Sequence, residues 1–125
     1  MTDYLFKADS FKIIGACMEI HKELGSGFNE VVYQHAAVIE FKSREIPFER
    51  EKVLDIVYKG ELLPKRYMAD FVCFNKILVE FKAVSELNEN HFSQVIGYLK
   101  ASNIELGLLI NFGESSLQFR RIILQ

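Results

Sequence analysis

The sequence has no tryptophan, two prolines and two cysteines in 125 residues. The cysteines, Cys17 and Cys73, lie far apart in apolar contexts and form no CxxC pair. That spacing excludes a disulfide framework and the usual zinc motifs, and it predicts two buried, reduced thiols. No apolar run approaches the roughly 18 residues of a membrane-spanning helix, so no membrane association is expected. The opening "MTDYLFKADSFK" lacks the apolar core of a secretory signal, which makes the cytoplasm the expected compartment. An excess of basic charge is missing as well. Fifteen Lys and Arg stand against seventeen Asp and Glu, a formal net charge of -2. No global basic field is available to hold the chain on nucleic acid. Any such binding has to be local, metal-assisted or helped by a partner.

What the sequence does hold is apolar material with clear periodicity. Half of the residues are hydrophobic, enough for one domain with its own core over residues 1–125 and too little chain for two. In "SFKIIGACMEIHKEL", residues 10–24, Ile13, Ile14, Cys17, Ile20 and Leu24 recur at helical spacing, with Asp9 or Ser10 available as N-cap and Gly25 as stop. A second helix is predicted over 29–44, ended by "REIP". From Glu49 the pattern becomes β-branched and aromatic, with Gly60 and Asn75 marking turns, which predicts a meander of three consecutive strands. "NENHFSQVIGYLKAS" returns to helical spacing with Asn88 as cap. "ELGLLINFG" reads as a strand covered on both faces and "LQFRRIIL" as a last strand. The expected fold is α/β, a mixed sheet with helices on both faces.

Within this apolar pattern, "ADFVCFNKILVEFKA" (69–83) carries Asp70, Glu80 and Lys82. Glu80 and Lys82 are two apart, so in a strand both leave the same face. Buried charges left unpaired cost several kcal/mol, so these three must be compensated. One solution is a structural ion pair in which Lys82 neutralises Asp70 or Glu80. The other is a pair of carboxylates holding a hard divalent cation, with Lys82 on a water or a phosphate oxygen.

The run Asp70, then Glu80-Phe81-Lys82, resembles the D…(D/E)xK signature of the PD-(D/E)XK nuclease superfamily, and the order helix, three strands, helix, strand resembles its restriction-endonuclease-like core. The remaining N-terminal helix and C-terminal strand are then additions to that core. "GFNEVVY", with Gly27, Glu30 and Tyr33, resembles the motif of the GxxExxY family, small prokaryotic members of the superfamily. "IPFERE", "YMADF", "VEFKAV", "HFSQVIGYL" and "GLLINFG" fall where that family's blocks fall, so the likeness runs from about residue 10 to 123. Ala69 stands where the superfamily's name has proline, a position without chemistry. The resemblance implies Mg²⁺ (or Mn²⁺) held by Asp70, Glu80 and the backbone carbonyl of Phe81. It also implies that Lys82 orients water or offsets phosphorane charge, that Glu30 is an extra acid from the first core helix, and that Gln94 lies beside the lysine.

Several of these positions have a second reading. With Gly27 as N-cap, Glu30 would be the third helical residue, where a carboxylate serves free N–H groups and the helix dipole. Tyr33, one turn on, is either a substrate contact or a packing residue with a tethered hydroxyl. His91, Gln94 and Tyr98 form a stripe that is either a site face or a solvated helix border. Lys65 and Arg66 are either phosphate contacts or a solvated pair in a turn.

Two functions of different class follow. The first is a metal-dependent nuclease hydrolysing phosphodiester bonds. The second is a non-cleaving nucleic-acid-binding or assembly module that keeps the fold. A homodimer or protein partner suits either, because so short a chain offers little surface for gripping a duplex. The nuclease reading makes a geometric demand. Glu30, Asp70, Glu80 and Gln94 must line one cleft with Lys82. An even hairpin loop would oppose Asp70 with Phe81 and turn Glu80 away, so the connection must be odd or bulged, bringing the carboxylates within about 6 Å.

Overall fold

The structure, a computed structural model, describes residues 4–124. Helix α1 spans Lys7–Leu24 and α2 Glu30–Ser43. The strands are β1 (Phe48–Leu54), β2 (Val57–Tyr58), β3 (Glu61–Leu62), β4 (Tyr67–Cys73), β5 (Ile77–Lys82), β6 (Leu106–Asn111) and β7 (Gln118–Ile123), with α3 (Glu89–Ser102) between β5 and β6. Five of the strands form one sheet in the order β1-β4-β5-β6-β7. Its β5–β6 pair is parallel and the others antiparallel. A parallel neighbour needs a crossover connection, and α3 supplies it.

The sheet is covered on both faces, as the two-sided apolar runs require. On one face Ile13, Cys17 and Ile20 of α1 and Tyr33, Ala37 and Phe41 of α2 pack with Phe71, Val79, Phe81, Leu108 and Ile110. On the other, Val95 and Leu99 of α3 pack with Val72, Leu78 and Leu109. Gly107 of β6 sets how closely α3 approaches, since a Cβ there would lie 2.7 Å from Val95 Cγ1. Both cysteines are buried and unpaired. Among the described residues no helix is long and apolar enough to cross a membrane.

Three expectations are corrected. Helix α1 begins before Asp9 and Ser10, with Phe6 at its N-cap in a left-handed conformation (φ 53°). Asp9 instead pairs with Lys76 at 2.8 Å, and the buried Ser10 hydroxyl donates to the Lys7 carbonyl and accepts from Arg121. Tertiary partners have replaced the local cap. The N-cap of α2 is Asn29 rather than Gly27, so Glu30 is the first helical residue. Finally, Gly60 does not turn β1 into the next sheet strand. Leu54 pairs with Tyr67, and the chain between them folds on itself as a separate β2–β3 hairpin.

Candidate active site

The β4–β5 hairpin pairs Cys73 with Ile77, Val72 with Leu78 and Phe71 with Val79, leaving the three-residue loop Phe74–Lys76. Phe74 and Asn75 both have positive φ (56° and 58°), which closes so short a turn. The loop is odd, as the metal-site geometry requires, and the last paired residues, Phe71 and Val79, stand next to Asp70 and Glu80.

The regular ladder ends just before that pair, and side chains take its place. The Asp70 amide donates to Glu80 Oε1 at 2.8 Å, and the Phe81 amide donates to Asp70 Oδ2 at 2.8 Å. The other flank of Asp70 is irregular too. Between the pairs Arg50↔Phe71 and Lys52↔Ala69 lies Glu51, with φ 53°. Strand alternation breaks at the same place, since Ala69 packs with Val72 on the α3 face and Phe71 on the other. Asp70 therefore stands where β4 parts from both neighbours.

Beyond Lys82 the chain is pinned by the buried side chain of Asn111. Its Oδ1 accepts from the Val84 and Gly113 amides, and its Nδ2 donates to the Val84 carbonyl and Glu114 Oε2. The Phe112 amide also donates to the Lys82 carbonyl at 2.8 Å. The end of β5 is thereby held against β6.

The charges of this region act on one another. Burial pushes Glu80 up to about 8, and the Asp70 charge adds to the rise. Burial also raises Asp70, against the Phe81 amide and the Lys82 and Arg50 cations that favour its ionised form. Glu30 is raised by burial and relieved by Lys82. Tyr98 is pushed to about 12 by burial and by Glu80 and Asp70, and His91 is lowered by burial and by Lys82. Glu30, Asp70, Glu80 and Lys82 thus form one electrostatic cluster, reached from α3 by His91 and Tyr98. Gln94 lies between those two on α3, and its Oε1 is buried with no hydrogen-bond partner.

Lys82 is within 4 Å of no carboxylate among the described residues, so it is not the partner of a structural ion pair. Glu30 accepts no capping hydrogen bond there either, and Asn29 makes no side-chain cap. Tyr33 is fully buried, stacked on Phe112 with ring centroids 4.5 Å apart, and its hydroxyl donates to the Gly25 carbonyl at 2.6 Å. That corrects its assignment as a substrate contact: it is a packing residue with a tethered hydroxyl. His91 closes a capping box, its Nδ1 accepting the Asn88 amide at 3.0 Å. Lys65 and Arg66 lie outside the cluster. Lys65 Nζ sits 6.0 Å from the Tyr67 ring centroid, and Arg66 is 3.9 Å from Asp55.

Sequence reasoning missed Arg50. Its charge reaches Asp70, its Nη2 donates to Gln34 Oε1 at 3.4 Å, and its Nε is buried without a partner. Phe48 and Arg50 are both half-buried on one face of β1 while Glu49 is exposed, and an arginine on an inward face needs a reason.

No three His, Cys, Asp or Glu side chains of the described residues form a ready-made metal cage. Two carboxylates meet a lesser requirement. Asp70 Oδ1 and Glu80 Oε2 enter no hydrogen bond among the described residues. This donor set fits a hard cation that keeps several of its waters, as Mg²⁺ does.

A mixed five-stranded sheet, helices on both faces, and an acidic pair with a lysine where two strands part define a restriction-endonuclease-like protein. The chain belongs to the PD-(D/E)XK nuclease superfamily, whose family profile matches residues 7–122. The crystal structure of SSO0001 shares the fold, with a TM-score of 0.57 and 18% identity over 74% of this chain. The matched region is 48% of that protein, so this chain spans about half its length. No curated protein matches the chain in sequence.

Proposed function

We propose that the protein is a metal-dependent phosphodiesterase acting on nucleic acid, a member of the GxxExxY family within its superfamily. The observation that carries this reading is the state of the three central charges. Asp70 and Glu80 each spend one oxygen on a backbone amide and keep the other free, while Lys82 is paired to neither. A structural ion network would have closed on itself.

In this reading Asp70, Glu80 and the Phe81 carbonyl hold Mg²⁺ or Mn²⁺, with Glu30 completing the acidic side of the site. The cation, when bound, polarises the phosphoryl group and makes water a better nucleophile. Lys82 offsets the negative charge that develops on phosphorus. Gln94 Oε1 accepts a hydrogen bond from the attacking water. The His91 ring, neutral with Nδ1 accepting from Asn88, presents Nε2–H as a donor to phosphate. Lys65 and Arg66 are outlying phosphate contacts, and the protein works with nucleic acid as homodimer or with a protein partner.

The test is cleavage of mixed nucleic-acid substrates in Mg²⁺ or Mn²⁺ beside the Lys82→Ala protein. Loss of one such stabilising group lowers the rate by about 10²–10³-fold. Equal cleavage by both proteins would assign the activity to a contaminant. Binding without cleavage by the wild type would favour a nucleic-acid-binding or assembly module instead.

A further inference from the structure

The 55–66 connection is not used by the site described above. It leaves the sheet at Leu54 and returns at Tyr67, which are paired, and Tyr67 lies three residues before Asp70. It therefore projects from the end of the sheet where β4 carries Asp70 and β5 runs out at Lys82. The contact of the Tyr67 ring with Tyr98 of α3, centroids 4.9 Å apart, ties its base to the same face. A cleft of about 390 Å³ separates the hairpin base, at Ile56 and Val57, from Tyr67, Gly97 and Lys100.

It is a short two-stranded ribbon. Tyr58 pairs with Glu61 and Val57 with Leu62, around the two-residue turn Lys59-Gly60. Both turn residues have positive φ (49° and 81°), the requirement of a type I′ hairpin. The Leu63 amide extends the ladder by donating to the Ile56 carbonyl at 2.8 Å. β2 and β3 pair only with each other.

Its chemistry is unusual for a ribbon in water. Directly paired residues share a face, so Val57 and Leu62 mark one face and Tyr58 the other. They are 59%, 68% and 61% exposed, so each side carries an exposed apolar or aromatic group, with Glu61 directly opposite Tyr58 on the second side. A surface that docks flat needs one apolar face, whereas two suit insertion between two groups. The flanks are basic. Residues 55–66 hold Lys59, Lys65 and Arg66 against Asp55 and Glu61, with Arg66 3.9 Å from Asp55, a net positive segment in a net acidic chain. Lys59 Nζ lies 5.5 Å from the Tyr58 ring centroid, so a cation stands beside the hairpin's aromatic ring. That combination matches single-stranded nucleic acid, whose bases offer π-faces and whose phosphates offer charge.

We propose that the β2–β3 hairpin is a blade that enters between unstacked bases, so that the substrate is single-stranded or branched nucleic acid rather than continuous duplex. The proposal rests on the nucleic-acid reading given above and names its substrate class. Tyr58 and Leu62 lie against base faces on the two sides of the blade, and Lys59, Lys65 and Arg66 hold the adjoining phosphates. Entering a continuous duplex would require unstacking a base step at a cost of about a few kcal/mol, which already unstacked bases do not impose.

The test is fluorescence anisotropy in EDTA with a labelled single strand, a fork with single-stranded arms, and a blunt duplex of the same sequence. The wild type is expected to bind strand and fork about ten-fold tighter than duplex, the scale of one stacked base. Tyr58→Ala/Leu62→Ser should erase that preference and leave duplex binding within about two-fold, while Lys59→Gln/Lys65→Gln should weaken all three. Unchanged fork binding by the Tyr58/Leu62 variant, or no binding by the wild type, would overturn the proposal. So would sedimentation showing a wild-type dimer that this variant splits, because the hairpin would then belong to a second copy. Cleavage in Mg²⁺ separates the two readings. If Lys82→Ala cuts like the wild type, the nuclease reading falls while the binding results stand. If Lys82→Ala is inactive but the Tyr58/Leu62 variant cuts strand and fork at the wild-type rate, only the hairpin proposal falls.

Discussion

Asp70 and Glu80 are held by each other's strands: the amide of Asp70 binds the Glu80 carboxylate, and the amide that follows Glu80 binds the Asp70 carboxylate, both at 2.8 Å. Two like charges are thereby fixed side by side in a largely buried place, with only part of their oxygen capacity used. The arrangement is costly for the protein alone, and what it would gain from a cation or a proton can be measured.

The proton dependence follows from Glu80. Its carboxyl is raised to about 8 in the folded protein, chiefly by burial, from an ordinary value near 4.5. The folded state then binds more protons than the unfolded state between those values, so stability falls as pH rises through that window. In EDTA the melting temperature is expected to drop from pH 5 to pH 8. Glu80→Gln, which keeps an acceptor for the Asp70 amide, should flatten that slope and melt about 5 °C above the wild type at pH 8. A wild-type profile as flat as the variant's would show that the buried carboxyl is not under this strain.

Divalent cations should act in the opposite sense. For a site with a Kd of about 1 mM, 10 mM Mg²⁺ stabilises the folded state by about 1.4 kcal/mol, a melting shift of several degrees. Asp70→Asn should abolish the shift and, without metal, should stabilise the protein by relieving the like-charge repulsion. Differential scanning calorimetry with and without Mg²⁺ reads both effects, and no shift in the wild type would count against a competent metal site.

Tyr33 and Gln94 should separate structure from chemistry. Tyr33→Phe removes the hydrogen bond to the Gly25 carbonyl and is expected to cost about 1 kcal/mol of stability while leaving the cleavage rate unchanged. Gln94→Ala removes an acceptor that has no partner in the folded chain, so it should lower cleavage with little change in the urea midpoint. The reverse pattern would move Tyr33 into the site and Gln94 out of it.

Much of this arrangement was legible in the sequence. Periodicity found the three helices and the sheet strands, because apolar spacing reports which face of an element is buried. The two-residue offset of Glu80 and Lys82, and the parity of a hairpin that must bring Asp70 onto the same side, are properties of a short stretch of chain. The three-residue loop at Phe74–Lys76 obeys that parity. The capping of α3 by Asn88 is local in the same way.

Tertiary structure decided what depends on distant segments meeting. The replacement of the cap of α1 by contacts with Lys76 and Arg121, the stacking of the buried Tyr33 ring on Phe112, and the reach of the Arg50 charge to Asp70 join residues far apart in sequence. So do the break in the sheet on both flanks of Asp70 and the pairing of Leu54 with Tyr67 that throws the β2–β3 hairpin outward. Side-chain periodicity is set by backbone geometry over a few residues and can be read along the chain. Which carboxylate loses its water, and which lysine stays unpaired, is set by the packing of elements around it, and burial of that kind exists only once the chain has closed.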